Sequence, residues 1–213
     1  MKKLSIIIVF IISLLSNPKT VGGELSDDLN ELMDAHIEFM EVVAHRQEFE
    51  AKLDVWIEFM DAVAHRESSD RYYITKGQYW GRYQIGRLAR KDLRLNTSKN
   101  KFLRSTELQD YAFIEYLKIN KRYLGDYVYN YDGETINGVL VTLSGLLASS
   151  HLVGANSIKR MLRNPTFIPF DGNNTTALEY LYEFSNFELD LEIETETIIA
   201  YKNGLRASER NLE

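Results

Sequence analysis

The chain has 213 residues, 45% hydrophobic and 26% charged, which fits one folded domain with extensions and excludes a disordered composition. It contains no cysteine, so a disulfide framework, thiol catalysis, thiolate metal sites and a lipidated N-terminal cysteine are excluded. The net charge of −6 offers no basic footprint for nucleic acid, and 13 Tyr and 10 Phe suit either core packing or an aromatic carbohydrate cleft.

In chain order, Lys2 and Lys3 precede a twelve-residue apolar run, Leu4 to Leu15. That length is short for a membrane span and suits the h-region of a signal peptide. Asn17-Pro18 breaks the run, and Thr20 and Gly22 are small residues at −3 and −1 of a cleavage before Gly23. Residues 1–22 are therefore expected to direct export, to the periplasm or outside the cell. No stable membrane insertion is expected after cleavage; an uncleaved N-terminal anchor is the alternative. Removal takes away Lys2, Lys3 and Lys19 and no acid, so the charge moves from −6 to −9.

Residues 23–50 read as a helical extension with a partial repeat. Ile37 to Arg46 returns as Ile57 to Arg66, with eight of ten positions identical at an offset of 20. Two copies do not make a solenoid. The first copy is followed by Gln47 and the second by Glu67, so only the second can supply a carboxyl proton. The first copy is then an added helix or a competitor for the second copy's place.

Leu53, Ile57, Met60, Ala64 and Glu67 lie at offsets 0, 4, 7, 11 and 14, one face of a helix. Glu67 continues that apolar face just where Ser68-Ser69-Asp70 ends it. A carboxyl group in such a place is a candidate general acid. Glycines 77, 81 and 86 match neither a P-loop nor a dinucleotide fingerprint, and no cofactor motif is present. His36, His45, His65 and His151 form no metal-ligand spacing.

Glu67-Ser68, followed by Gly81-x-Tyr83-Gln84-Ile85, resembles the lysozyme-like soluble lytic transglycosylases, which carry a catalytic Glu-Ser and then a Gly-x-x-Gln motif. Two later stretches are similar to secreted and phage-associated lysozyme-like proteins. One is Ser105-x-Glu107-Leu108-Gln109-Asp110; the other is Ser144-Gly145-Leu146-Leu147-Ala148 with His151-Leu152. Ser149, Ser150 and Val153 depart from the small residues usual there. The resemblance covers residues 51–187. It implies a mainly α (α+β) lysozyme-like domain with a small β-hairpin, acting on peptidoglycan glycan strands. It also implies Glu67 as the catalytic residue, with Tyr79, Tyr83, Gln84, Ser144 and His151 binding substrate.

Several local expectations follow. A short helix is expected over 88–95, and Thr106-x-x-Gln109 reads as a capping box for a long helix to about Leu124. Tyr127, Tyr129 and Tyr131 alternate before a turn at Asp132-Gly133. Asn137-Gly138 signals a hairpin, and Ser144 is placed to cap a helix over 145–153. Asp171 to Thr176 begins like a calcium loop but lacks the glycine and the terminal Glu, so no metal is expected. A short aromatic helix follows over 177–184. Leu189, Leu191 and Ile193 alternate with acids, which predicts an acidic strand in a C-terminal tail, 188–213, as a docking edge for a protein partner.

Two glycan-cleaving outcomes are open. A transglycosylase can work with one Glu and leaves a 1,6-anhydro sugar, whereas a hydrolase usually needs a second carboxylate. Asp70 is the nearest candidate, although it reads better as a turn residue. The competing class is a non-catalytic wall-binding protein.

Overall fold

The computed structural model describes residues 23–210; the signal-peptide expectation for 1–22 lies outside them, as does 211–213. The described residues form nine helices and two small antiparallel strand pairs, the mainly α architecture expected. None of these helices is long and apolar enough to cross a membrane. The boundary between two compact units falls between Phe49 and Glu50.

Helix α1 spans Gly23–Ser68. In the first unit its apolar residues Leu32, Ile37, Phe39, Met40 and Val42 are exposed. In the second unit the repeat partners of two of them, Phe59 and Met60, are fully buried beside Trp56, Val63 and Ala64. The same letters are thus core in the second copy and surface in the first.

In the second unit a hairpin follows α1, β1 (Thr75–Lys76) pairing with β2 (Tyr79–Trp80) around Gly77. The expected short helix is α2 (Arg87–Asp92), followed by α3 (Lys99–Arg104) and the long α4 (Thr106–Leu124). The cap of α4 differs from expectation: Ser105 is the N-cap, and its hydroxyl accepts from Leu108 N–H at 3.1 Å. Gln109 is instead fully buried. Its amide donates to the carbonyls of Tyr72, Phe102 and Leu103, and its Oε1 accepts from Arg82 N–H at 2.7 Å.

Tyr127–Tyr131 forms helix α5, with Tyr127 stacked on Tyr131 one turn later, so their alternation is not that of a strand. The Asn-Gly hairpin is present as β3 (Thr135–Ile136) and β4 (Val139–Leu140), with Asn137 and Gly138 at positive φ. Helix α6 (Leu143–Val153) is capped by Thr142, which accepts from Gly145 N–H; Ser144 is inside the helix and fully buried. A Cβ on Gly145 would meet Leu181 O at 2.7 Å, which is why α6 can lie so close to α8 (Ala177–Glu183). Between them comes α7 (Ala155–Arg163).

The C-terminal segment corrects the strand expectation. Leu189 and Ile193 are buried, but residues between them turn, with Glu192 N–H donating to Asp190 Oδ1. Helix α9 (Thr195–Arg210) follows, with Thr195, Ile198 and Lys202 buried. The short run imitates a period of two, while the buried side of the later helix is disguised by Lys202. Among the described residues of this tail there is no strand.

Candidate active site

The helix carrying Glu67 ends because Ser69 and Asp70 both adopt left-handed backbone, with φ of 53° and 64°. Ser68 serves this ending. Its hydroxyl donates to Ala64 O and accepts from Arg71 N–H. Glu67 is left on the last turn with its side chain 15% exposed. It lines a cavity of about 290 Å³ together with Lys76, Tyr79, Gln84, His151 and Asp171. A second cavity, about 200 Å³, shares Tyr79, Gln84, His151 and Leu152 with the first. The shared walls make the two one continuous groove.

Glu67 Oε1 accepts a hydrogen bond from the Tyr180 hydroxyl at 2.8 Å, and His151 Nε2 lies 3.7 Å from the same oxygen. Burial, then the charge and hydrogen bond of Glu67, push the Tyr180 phenol well above its ordinary value, so it stays a donor. The backbone carbonyl of Glu67 accepts from Lys76 Nζ at 3.0 Å, which ties the first hairpin to the helix end.

His151 Nε2 donates to Tyr83 O at 2.9 Å, an assignment that follows because a carbonyl can only accept. Its Nδ1 is buried without a partner. The ring is held edge-on by Phe113 and Tyr116, and its side chain is 4% exposed. Gln84 sits at φ 48°, donates from Nε2 to Gly81 O at 2.6 Å and leaves its buried Oε1 unpaired. Gln84 Oε1 and His151 Nδ1 are thus buried without a partner in two residues whose side chains line the groove.

Of the residues expected at the site, Glu67, Tyr79, Gln84 and His151 are brought together. Tyr83 and Ser144 stand apart from the cavity. Tyr83 is fully buried, its ring stacked on Phe113 at 4.2 Å and its hydroxyl donating to Asp110 Oδ1 at 2.6 Å. Its carbonyl alone reaches the site, through His151. Ser144 is buried against Thr142, with the hydroxyls 3.3 Å apart.

Asp70 is also drawn elsewhere, into a charged cluster outside both cavities. It pairs with Arg82 at 2.7 Å and His65 at 3.1 Å. Although burial raises its pKa, Arg82 and His65 hold it below the ordinary value. Arg82 and Lys202 both reach Asp61, while Lys202 and Arg206 reach the buried Asp110. Three acids and three bases thus balance around Tyr83, which Lys202 Nζ also approaches at 3.3 Å. Burial lowers the pKa of Lys202 despite its acidic neighbours.

Sequence reasoning missed Tyr180, Lys76 and Asp171. Tyr180 was legible as part of an aromatic helix, but nothing local links it to a residue 113 positions away. Asp171 stands on a loop whose shape it makes, Oδ1 accepting from Asn173 and Thr175 N–H and Oδ2 from Asn173 Nδ2. The arrangement provides a carboxyl group at a groove wall, held by a phenol with an imidazole close by, and so placed to exchange a proton there. No family model matches this chain, and no curated protein or solved structure is significantly similar to it.

Proposed function

We propose that this protein is a peptidoglycan lytic transglycosylase of lysozyme-like type, with Glu67 as general acid and then general base. The observation that carries the reading is the placement of Glu67 Oε1 on the groove wall, 2.8 Å from the Tyr180 hydroxyl. The protonated Glu67 gives its proton to the glycosidic oxygen between MurNAc and GlcNAc. The substrate's N-acetyl group steadies the developing cation. The carboxylate then takes the C6 hydroxyl proton, and O6 closes on C1 to give a 1,6-anhydroMurNAc end. Tyr180 keeps the carboxyl oriented through both transfers.

A second reading, hydrolysis, is favoured by Asp171, the other carboxylate lining the same cavity. Its oxygens are engaged by Asn173 and Thr175, which supports the one-carboxylate route. The test is digestion of purified sacculi by the chain and by Glu67→Gln, with mass spectrometry of the soluble products. Anhydro-ended muropeptides absent with the variant are expected. Reducing ends lost with the variant mean a hydrolase. No release by either protein, with both still pelleting with sacculi, means a wall-binding protein.

A further inference from the structure

The two cavities of the groove differ in the charge of their walls. Its first cavity holds Glu67 and Asp171, while the second is lined by Arg87 and Leu88 and by no carboxylate. Arg87 opens helix α2, where Arg90 and Lys91 follow at offsets 3 and 4 and share its face. Arg90 is fixed: its guanidinium lies 3.5 Å above the Trp80 ring centroid and donates to Gln78 O at 2.8 Å and to Ile85 O. Burial and the charge of Arg87 lower its pKa, so the two cations act on each other. Among the described residues no carboxylate pairs with Arg87, Arg90 or Lys91. The whole chain carries −6, yet residues 87–104 hold seven basic side chains and one acid. Arg87 is thus a cation with no carboxylate partner in a cavity wall, with two further cations on the same short helix, and in an acidic protein such a place suits an anion.

The backbone of a glycan strand is neutral. Its anionic groups are the carboxylates of the peptide stems, which hang from the lactyl ethers of the MurNAc units. Resting on the reading of the groove as a glycan-strand site, we propose that Arg87, in the wall of the second cavity, binds stem-peptide carboxylates, with Lys91, outside the cavity but one turn on along the same helix, adding to the attraction, so that peptide-bearing strands are preferred over stripped ones. Arg90, already committed to two carbonyls and to Trp80, is a positioning residue that sets their field. Leu88, 67% exposed beside Arg87, offers apolar contact to the aliphatic side chains of a stem.

The test measures co-sedimentation of the Glu67→Gln protein with intact sacculi and with sacculi whose stems an amidase has removed. Charge reversal by Arg87→Glu with Lys91→Glu is expected to lower the ratio of binding, intact to stripped, by about tenfold. Arg87→Ala with Lys91→Ala lowers it less and guards against a misfolded reversal. The pair Lys101→Glu and Arg104→Glu, equal in charge and on α3, lines neither cavity and leaves the ratio near its starting value. An unchanged ratio in the first pair overturns the inference. So does an equal fall in both pairs, which reports general attraction to polyanions. Product release by the chain with Glu67 intact, followed in parallel, separates the two readings. Release without a charge-dependent ratio keeps the enzyme and overturns the stem site. A charge-dependent ratio without release keeps the stem site and overturns the enzyme. Neither release nor sedimentation overturns both.

Discussion

The Tyr180 hydroxyl donates to Glu67 Oε1 at 2.8 Å across 113 residues of sequence, joining the end of α1 to the middle of α8. Removing that hydroxyl leaves the ring and its packing on Phe184 in place but frees the carboxyl to rotate. Tyr180→Phe is therefore expected to lower kcat on sacculi by roughly 10- to 100-fold with little change in KM. The accompanying loss of stability should stay near about 1 kcal/mol, the usual net worth of one hydrogen bond. Steady-state kinetics with an unchanged kcat would deny Tyr180 its role.

Gly81 has φ 75°, and a Cβ there would lie 2.2 Å from Gln109 Oε1. A free glutamine could swing away, but Gln109 is fully buried and bonded to four backbone groups. Gly81→Ala should therefore cost about 2–4 kcal/mol, combining left-handed strain with overpacking. Urea denaturation measures it, and a loss below half a kcal/mol would mean that Gln109 is not held as described.

Lys202 supplies one of three positive charges around Asp61, Asp70 and Asp110. Lys202→Met leaves the buried Asp110 with Arg206 alone as its ion-pair partner, at 3.3 Å. Because Asp110 keeps Arg206 and the Tyr83 hydroxyl, the loss should stay below the roughly 3–5 kcal/mol of a fully unpaired buried charge. The double variant with Asp110→Asn should cost less than the sum of the single changes, because the carboxylate that lost Lys202 goes too. Additive losses in a double-mutant cycle would show the two residues to be uncoupled.

Stability should fall with alkali. Tyr83 and Tyr180 have pKa values raised above the ordinary 10, chiefly by burial, and Tyr72 and Tyr116 move the same way. In the unfolded chain these phenols ionise near pH 10, so above that pH the unfolded state holds fewer protons than the native one. Their contribution is complete below pH 10 and is lost as pH rises toward the folded values. Lys202, whose pKa is lowered, works in the opposite direction, but it stands against six phenols, since Tyr111 and Tyr201 are raised too. Denaturation midpoints at pH 8 and 10.5 test this, and Tyr83→Phe should flatten the slope. Midpoints equal at the two pH values would contradict it.

The sequence alone determined the features that repeat locally. The face from Leu53 to Glu67, the Asn137-Gly138 hairpin and the helices over α2, α4 and α8 all rest on side chains within a few turns of each other. Glu67 stood out for the same reason, as the place where an apolar face ends in an acid. Local pattern misled where one residue was recruited from far away. Gln109 reads as a cap and is spent on Arg82 and Tyr72; Tyr83 reads as a ligand and is spent on Asp110; Leu189 to Ile193 reads as a strand because its apolar residues alternate with acids, but it turns before α9. Only the tertiary structure decided which hydroxyl meets Glu67, which carboxylate shares its groove and which one pairs with Arg82 instead. Those choices depend on how α6, α8 and α9 pack, and packing distances between remote segments leave no periodic trace in the chain.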